Sequence, residues 1–239
     1  MKVWEKNINR SIATYKKGSY EEYKSYERFK FVKKIMEKKL KATGDLLDIG
    51  CAKGEFIWLL KDSFPKISFT GFDLSDELIT LAKGQPDLSD VTFLKADVQN
   101  FDLKRKFDFA SMMGVLSMFD DFKKPLRLMV KHLKKGGWGY IFGIFSEDEI
   151  DVLVRFRNNY LGSKIWESGY NMFCRSSIKK ELSASCENIR FYKFAIPIDL
   201  PKEKDPVKSY TLNTAEKGRI ILNGINILHH FYLVEFKKR

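Results

Sequence analysis

Between Leu46 and Phe56 the chain changes character abruptly. An apolar run, Leu46 to Ile49, carries a carboxylate at Asp48, breaks into Gly50-Cys51-Ala52-Lys53-Gly54, and resumes as a helical pattern. Such a run reads as a buried parallel strand, and Lys53 to Leu60 as the helix after it. The turn between them then lies at the carboxyl edge of a sheet, where open α/β folds bind ligands. Gly50, Ala52 and Gly54 leave it nearly bare of side chains, so a ligand can lie against backbone whose free N–H groups hold a carboxylate.

The spacing argues against a dinucleotide. In a G-x-G-x-x-G fingerprint the closing glycine would fall on Glu55, whereas the chain places its glycine one residue early, at Gly54. Asp48 directly below the turn would repel a pyrophosphate but favour a ligand bearing an ammonium and a sulfonium. S-adenosylmethionine carries both.

At 239 residues with 44% hydrophobic content, the chain is long enough for one large α/β domain. Its net charge of +12 makes nucleic acid, anionic lipid or an acidic substrate conceivable partners. The basic pairs, among them Lys16-Lys17, Lys38-Lys39 and Lys179-Lys180, are scattered and Lys-dominated, which fits a solvated surface better than a phosphate reader. Cys51, Cys174 and Cys186 form no C-x-x-C pair, so neither disulfides nor a metal site is expected. The charged N-terminal residues, and a longest apolar run of only Trp138 to Phe145, imply no membrane insertion and a cytoplasmic protein.

Helical spacing over Tyr20 to Leu40 predicts an amphipathic helix after an irregular start. Strands at Ile67–Phe72, Val91–Leu94, Phe107–Met112 and Trp138–Phe145 alternate with helices near Asp76–Lys83 and Phe122–Leu133, the latter closed by Gly136-Gly137. The alternation predicts an α/β fold with a doubly wound, mostly parallel seven-stranded sheet. Ser146-Glu147-Asp148-Glu149 reads as a capping box opening a helix to about Tyr160. A loop to Phe173, a helix capped by Ser176 or Ser177, and strands at Arg190–Ile196 and His229–Phe236 complete the reading. A minimal sheet does not require residues 197–228, and insertions of that length usually have a task. The expected division is a cap over 1–43 and a main domain over 44–239, with 146–175 and 197–228 as insertions.

Several strand ends carry chemistry. Asp73 lies some twenty residues past the glycine turn, where a carboxylate accepts both hydroxyls of a ribose; Ser75 or Asp76 can cap the next helix without it. Asp97 can accept from an adenine amine while the Val98 N–H reaches a ring nitrogen, or serve as a surface turn acid. Met113 and Met118 read as packing groups.

Taken together, Asp48 to Gly54, Asp73, Ala96-Asp97-Val98 and Leu133-Lys134-Lys135-Gly136-Gly137 resemble a class I S-adenosylmethionine-dependent methyltransferase over roughly residues 40 to 145. The resemblance implies a Rossmann-like methyltransferase fold, S-adenosylhomocysteine as product, and cofactor contacts at Asp48, Gly50, Cys51, Ala52, Gly54, Asp73, Leu74, Asp97, Val98 and Met113. Ala52 departs from the family's usual glycine. The resemblance also sets the N-terminal helix and the segments after strands four and five over the acceptor, which brings in Tyr15, Tyr20, Tyr23, Arg28, Trp166 and Tyr170. Arg28, amid an apolar helical face, calls for a carboxylate or phosphate partner, on a ligand or in a surface ion pair.

Methyl transfer is an in-line displacement that needs alignment more than side-chain chemistry. His229, Glu147 and Asp148 are candidates for a base by location alone. The segment after the fourth strand, Met112-Met113-Gly114-Val115, lacks the Asn-Pro-Pro-aromatic turn of base-amine methyltransferases, and no cysteine sits there for cytosine chemistry. A small-molecule or glycan-precursor acceptor, methylated on oxygen, is therefore expected, with similarity to capsule or polysaccharide-cluster enzymes. Alternatives are a phosphoramidate or phosphate-like oxygen, RNA, a non-catalytic cofactor-binding subunit, and a nicotinamide oxidoreductase.

Overall fold

The computed structural model describes residues 19–20, 26–40, 43–159 and 164–239. Its frame is a twisted sheet of β1 (Gly44–Ile49), β2 (Ile67–Asp73), β3 (Thr92–Lys95), β4 (Phe107–Met113), β5 (Leu133–Ser146), β9 (Cys186–Phe194) and β12 (Phe231–Lys238), in the order β3-β2-β1-β4-β5-β12-β9. The first five run parallel, and β12 is antiparallel to both β5 and β9. The seven expected strands are joined by an eighth, β8 (Phe173–Cys174), which adds to the end of β5. Strand order reverses between β1 and β4, so the crevice beyond β1 is the topological switch point.

Alternation along each strand feeds two apolar layers. Leu46, Phe69, Phe109, Phe142 and Leu233 face α1 (Glu27–Met36), α2 (Glu55–Ser63) and α3 (Asp76–Lys83). Leu47, Phe72, Ala110, Ile141 and Val234 face α4 (Lys123–His132) and α5 (Arg175–Ser183). The N-terminal helix described begins at Glu27; Phe29 packs on Phe56 of α2 and Phe31 on Phe194 of β9.

Four expectations fail. Cys174 rather than Ser176 or Ser177 caps α5: its Sγ accepts from Ser177 N–H at 3.4 Å, and both serines lie inside the first turn. The capping box at Ser146 opens no helix: Val154 and Phe156 are buried while Leu153 and Arg157 face outward, a period of two that forms β6 (Arg155–Phe156) against β7 (Glu167–Ser168). Gly136 does not close α4, which stops at His132; Leu133 is already extended, and Gly136 (φ +77°) lies inside β5. His229 and His230 precede β12 rather than alternate along it. The 197–228 insertion folds as its own hairpin, β10 (Ser209–Thr214) against β11 (Gly218–Asn223).

The tightest close approach in the sheet is Gly139 on β5 opposite Phe236 on β12, where a Cβ would lie 2.2 Å from the ring. Gly139→Ala is expected to destabilise the fold by about 1–3 kcal/mol, measured by urea denaturation.

Candidate functional site

The turn after β1 is pinned to β2 by its own amides. Gly50 N–H and Cys51 N–H both donate to Phe72 O at 2.9 Å, and Ala52 N–H donates to Asp73 Oδ2 at 3.0 Å. Gly50 (φ +72°), Ala52 (φ +48°) and Gly54 (φ +84°) all have left-handed backbone. A Cβ at Gly50 would strike Val115 at 2.6 Å, and one at Gly54 would strike Phe93 at 2.8 Å, so both positions require glycine for space as well as conformation. Gly54 sits at the N-terminal cap of α2, leaving the first amides of that helix without intrahelical acceptors.

Asp48 is 2% exposed beneath this turn, and its partner is Ser111 Oγ on β4, which donates to it at 2.7 Å. Burial pushes its pKa up to about 7; the Ser111 bond opposes the rise and nearby Asp73 adds to it. The same surroundings push the Cys51 thiol up, which makes it an inert packing group. Asp73 ends β2 with Oδ1 accepting from Ser75 N–H and Oδ2 from Ala52 N–H, each at 3.0 Å, and burial raises its pKa despite those bonds. Ser75 caps α3 through Leu78 N–H, so that role belongs to Ser75. Leu74 is half-buried beside it.

The other cofactor candidates lie on adjoining strand ends. Ala96 N–H donates to Asp73 O, bringing Asp97 and Val98 next to the β2 terminus. Asp97 closes its own turn, with Oδ1 accepting from Gln99 N–H at 2.8 Å, and Val98 is buried. Met113 ends β4, half-buried, and beside it Gly114 (φ +74°) has open space where a Cβ would point.

The acceptor candidates divide. Tyr15 and Tyr23 lie outside the described residues. Tyr20 reaches the turn: its hydroxyl donates to Lys53 O at 2.5 Å and its ring packs on Trp58. Arg28 is half-buried, stacked 4.6 Å over Tyr26 and 4.8 Å over Phe29. Trp166 is exposed, with the Arg157 guanidinium over its ring. Tyr170 is edge-on to His229. Glu147 accepts from Lys193 and Tyr232 and neighbours His230; these contacts hold its pKa down at about 2, which leaves it a weak proton acceptor. Asp148 is exposed. Sequence reasoning missed Ser111, since a serine inside an apolar segment carries no signal without the pairing of β4 with β1.

No helix among the described residues is long and apolar enough to cross a membrane, and no cluster of His, Cys, Asp and Glu among them could hold a metal. Among solved structures, the chain is similar in fold to the N-methyltransferase NodS from Bradyrhizobium japonicum WM9 (TM-score 0.59, 15% identity, 99% of each chain). It is likewise similar to CalS10, an amino pentose methyltransferase from Micromonospora echinaspora (TM-score 0.58, 16% identity, 97% of each chain). Curated relatives include the malonyl-[acyl-carrier protein] O-methyltransferase of Bacillus anthracis, 25% identical over 54% of this chain and 51% of that protein. The enzyme of the same name from Paenibacillus sp. (strain JDR-2) is 29% identical over 76% of each. The chain spans about half the length of the first of these relatives. A family model described as a methyltransferase domain matches residues 20–184, and the chain belongs to that family.

Proposed function

We propose that the chain transfers a methyl group from S-adenosylmethionine to an oxygen atom of a small-molecule acceptor. The observation that carries this reading is Asp48, a carboxylate buried under a bare peptide turn, whose raised pKa marks a site that gains from a cation. S-adenosylmethionine, when bound, supplies the activated methyl on a sulfonium. Asp48 would offset its positive charge, Gly50 to Gly54 would let it lie on backbone, and Asp73 would take the ribose hydroxyls. Asp97 and Val98 would take the adenine, with Leu74 as an apolar wall. The space beside Met113 and Gly114 leaves room where the methyl must meet its acceptor.

Oxygen as the attacking atom is supported by the relatives' names, and a malonyl thioester is the first acceptor to test. Arg28, stacked on aromatic rings and with no carboxylate partner among the described residues, suits an anionic acceptor, carboxylate or phosphate-like. A sugar hydroxyl, as in polysaccharide assembly, is the second class; the uncharged Ser209, Asn223 and His229 in and beside the 197–228 insertion favour it. Incubation with methyl-labelled donor and either malonyl-coenzyme A or UDP-glucose is expected to yield a methyl ester or methyl ether. Calorimetry that shows no binding of S-adenosylhomocysteine, or its displacement by NAD, would defeat the reading.

Asp73→Asn removes the charge and replaces one of the two oxygens that accept from Ala52 N–H and Ser75 N–H with an amide nitrogen, and is expected to weaken donor binding by ~1–3 kcal/mol in calorimetry. Asp48 makes a pH-dependent contribution. Its folded pKa of about 7 stands above the ordinary 3.8, so the folded chain keeps a proton that the unfolded chain loses between those values. Stability of the ligand-free chain is therefore full below the lower value and declines as pH rises toward the upper one. Asp48→Asn should flatten that decline in urea melts across the same window. Donor binding near neutral pH should release a proton from wild type and none from the variant, read by calorimetry in buffers of differing ionisation enthalpy.

A further inference from the structure

The 197–228 insertion builds a small ribbon. Ser209 on β10 lies directly opposite Asn223 on β11. The chain then turns at residues 224–226 and returns along β11 through the Leu222–Leu228 bridge, with His229 N–H donating to Ile221 O at 2.8 Å. Ile221 and Asn223 alternate onto one face, and His229, paired to Ile221, joins them there. Ser209 Oγ lies 3.2 Å from His229 Nδ1 and closes the group.

Asn223 is 0% exposed and His229 2%. Asn223 Oδ1 is used by the turn, accepting from Ile225 N–H at 3.2 Å and Ile227 N–H at 3.0 Å. Asn223 Nδ2 and His229 Nε2 have no hydrogen-bond partner among the described residues. Burying one polar nitrogen unpaired is costly, and two on one ribbon face mark a position made for a ligand atom. The group hangs at the carboxyl end of β5, since the next carbonyl, His230 O, accepts from Phe145 N–H at 2.9 Å. The rings of Tyr170 and Phe231 stand edge-on to His229. Asn171 N–H donates to Ser117 O, which ties the Tyr170 segment to the turn Leu116–Met118 that follows β4.

We propose that Asn223 and His229 bind an uncharged oxygen of the methyl acceptor, a hydroxyl or a carbonyl, at this position. The proposal rests on the methyl-transfer reading above and deepens it. His229 is neutral here, because burial holds its pKa at about 4 with His230 pushing the same way; His230 itself faces Glu147. The position thus offers an incoming anion no imidazolium, and Arg28 is the group suited to one. Asn223 Nδ2 donates. His229 Nε2 donates or accepts according to which of Ser209 and Nδ1 holds the shared proton, so a hydroxyl satisfies either arrangement and a carbonyl one of them.

The full chain saturated with S-adenosylhomocysteine is titrated with malonyl-coenzyme A, whose thioester offers a carbonyl, and with UDP-glucose, which offers hydroxyls. Asn223→Asp keeps the Oδ1 bonds of the turn but loses the donor; His229→Gln keeps a polar side chain but loses the ring. One probe is expected to bind wild type, with its Kd rising about tenfold or more in each variant, the weight of a lost hydrogen bond, while S-adenosylhomocysteine affinity stays constant. Should a variant fail to fold, the wild-type His229 imidazole nitrogen resonances must still shift on adding the bound probe. Unchanged probe affinity in folded variants, no probe binding by wild type, or unmoved resonances overturns the proposal. Loss of S-adenosylhomocysteine binding by wild type sinks the methyl-transfer reading and this proposal with it; normal binding with any of the other failures sinks this proposal alone.

Discussion

Three consecutive amides, at Gly50, Cys51 and Ala52, are spent on the end of β2. Their acceptors, Phe72 O and Asp73 Oδ2, are delivered by the register of β2 against β1, which pairs Asp48 with Gly71 and Ile49 with Phe72. A slip of one residue would exchange the two faces of the strand and separate the turn from its acceptors. Gly71 enforces the same fit from below, since a Cβ there would lie 2.8 Å from Ile57 and 2.9 Å from Cys51 Sγ. The turn, the seating of α2 and the carboxylate of Asp73 therefore form one unit.

Beneath that unit a polar row crosses an otherwise apolar layer. Strand pairing aligns Gly71, Asp48, Ser111, Tyr140, Glu235 and Arg190 side by side on the face that packs against α1 and α2. Glu235, 2% exposed, accepts from Tyr192 OH at 3.1 Å; burial pushes the Tyr140 phenol up, so it stays neutral. In a low-dielectric layer such groups make errors of register expensive, because each shifted strand would strand a charge or a hydroxyl.

Much of this was legible in the chain before folding. The strand-turn-helix at Leu46–Leu60, the carboxylate of Asp73 and the alternation through β5 are local patterns, and local periodicity survives into the fold. All but one of the misreadings fall at or after residue 146; the exception is Gly136, which lies inside β5 instead of ending α4. Ser146-Glu147-Asp148-Glu149 has the residues of a capping box, but Glu147 is drawn to Lys193 and Tyr232, partners far along the chain, and the apolar period behind it is two. Ser111 was invisible because it matters through the pairing of β4 with β1, distant segments of which single-residue propensity carries no record; His229 stood out as a candidate base, but its meeting with Asn223 depends on the return of the ribbon along β11.

The position of β12 has a further consequence. It lies between β5 and β9, antiparallel to both, although it follows them in the chain. During synthesis a ribosome would deliver β9 first, and the nascent sheet would hold a gap one strand wide, with the edge of β5 open to any passing peptide. Insertion of Phe231–Lys238 into that slot is a late, non-local event, so chaperone demand and aggregation hazard should concentrate in the interval before it.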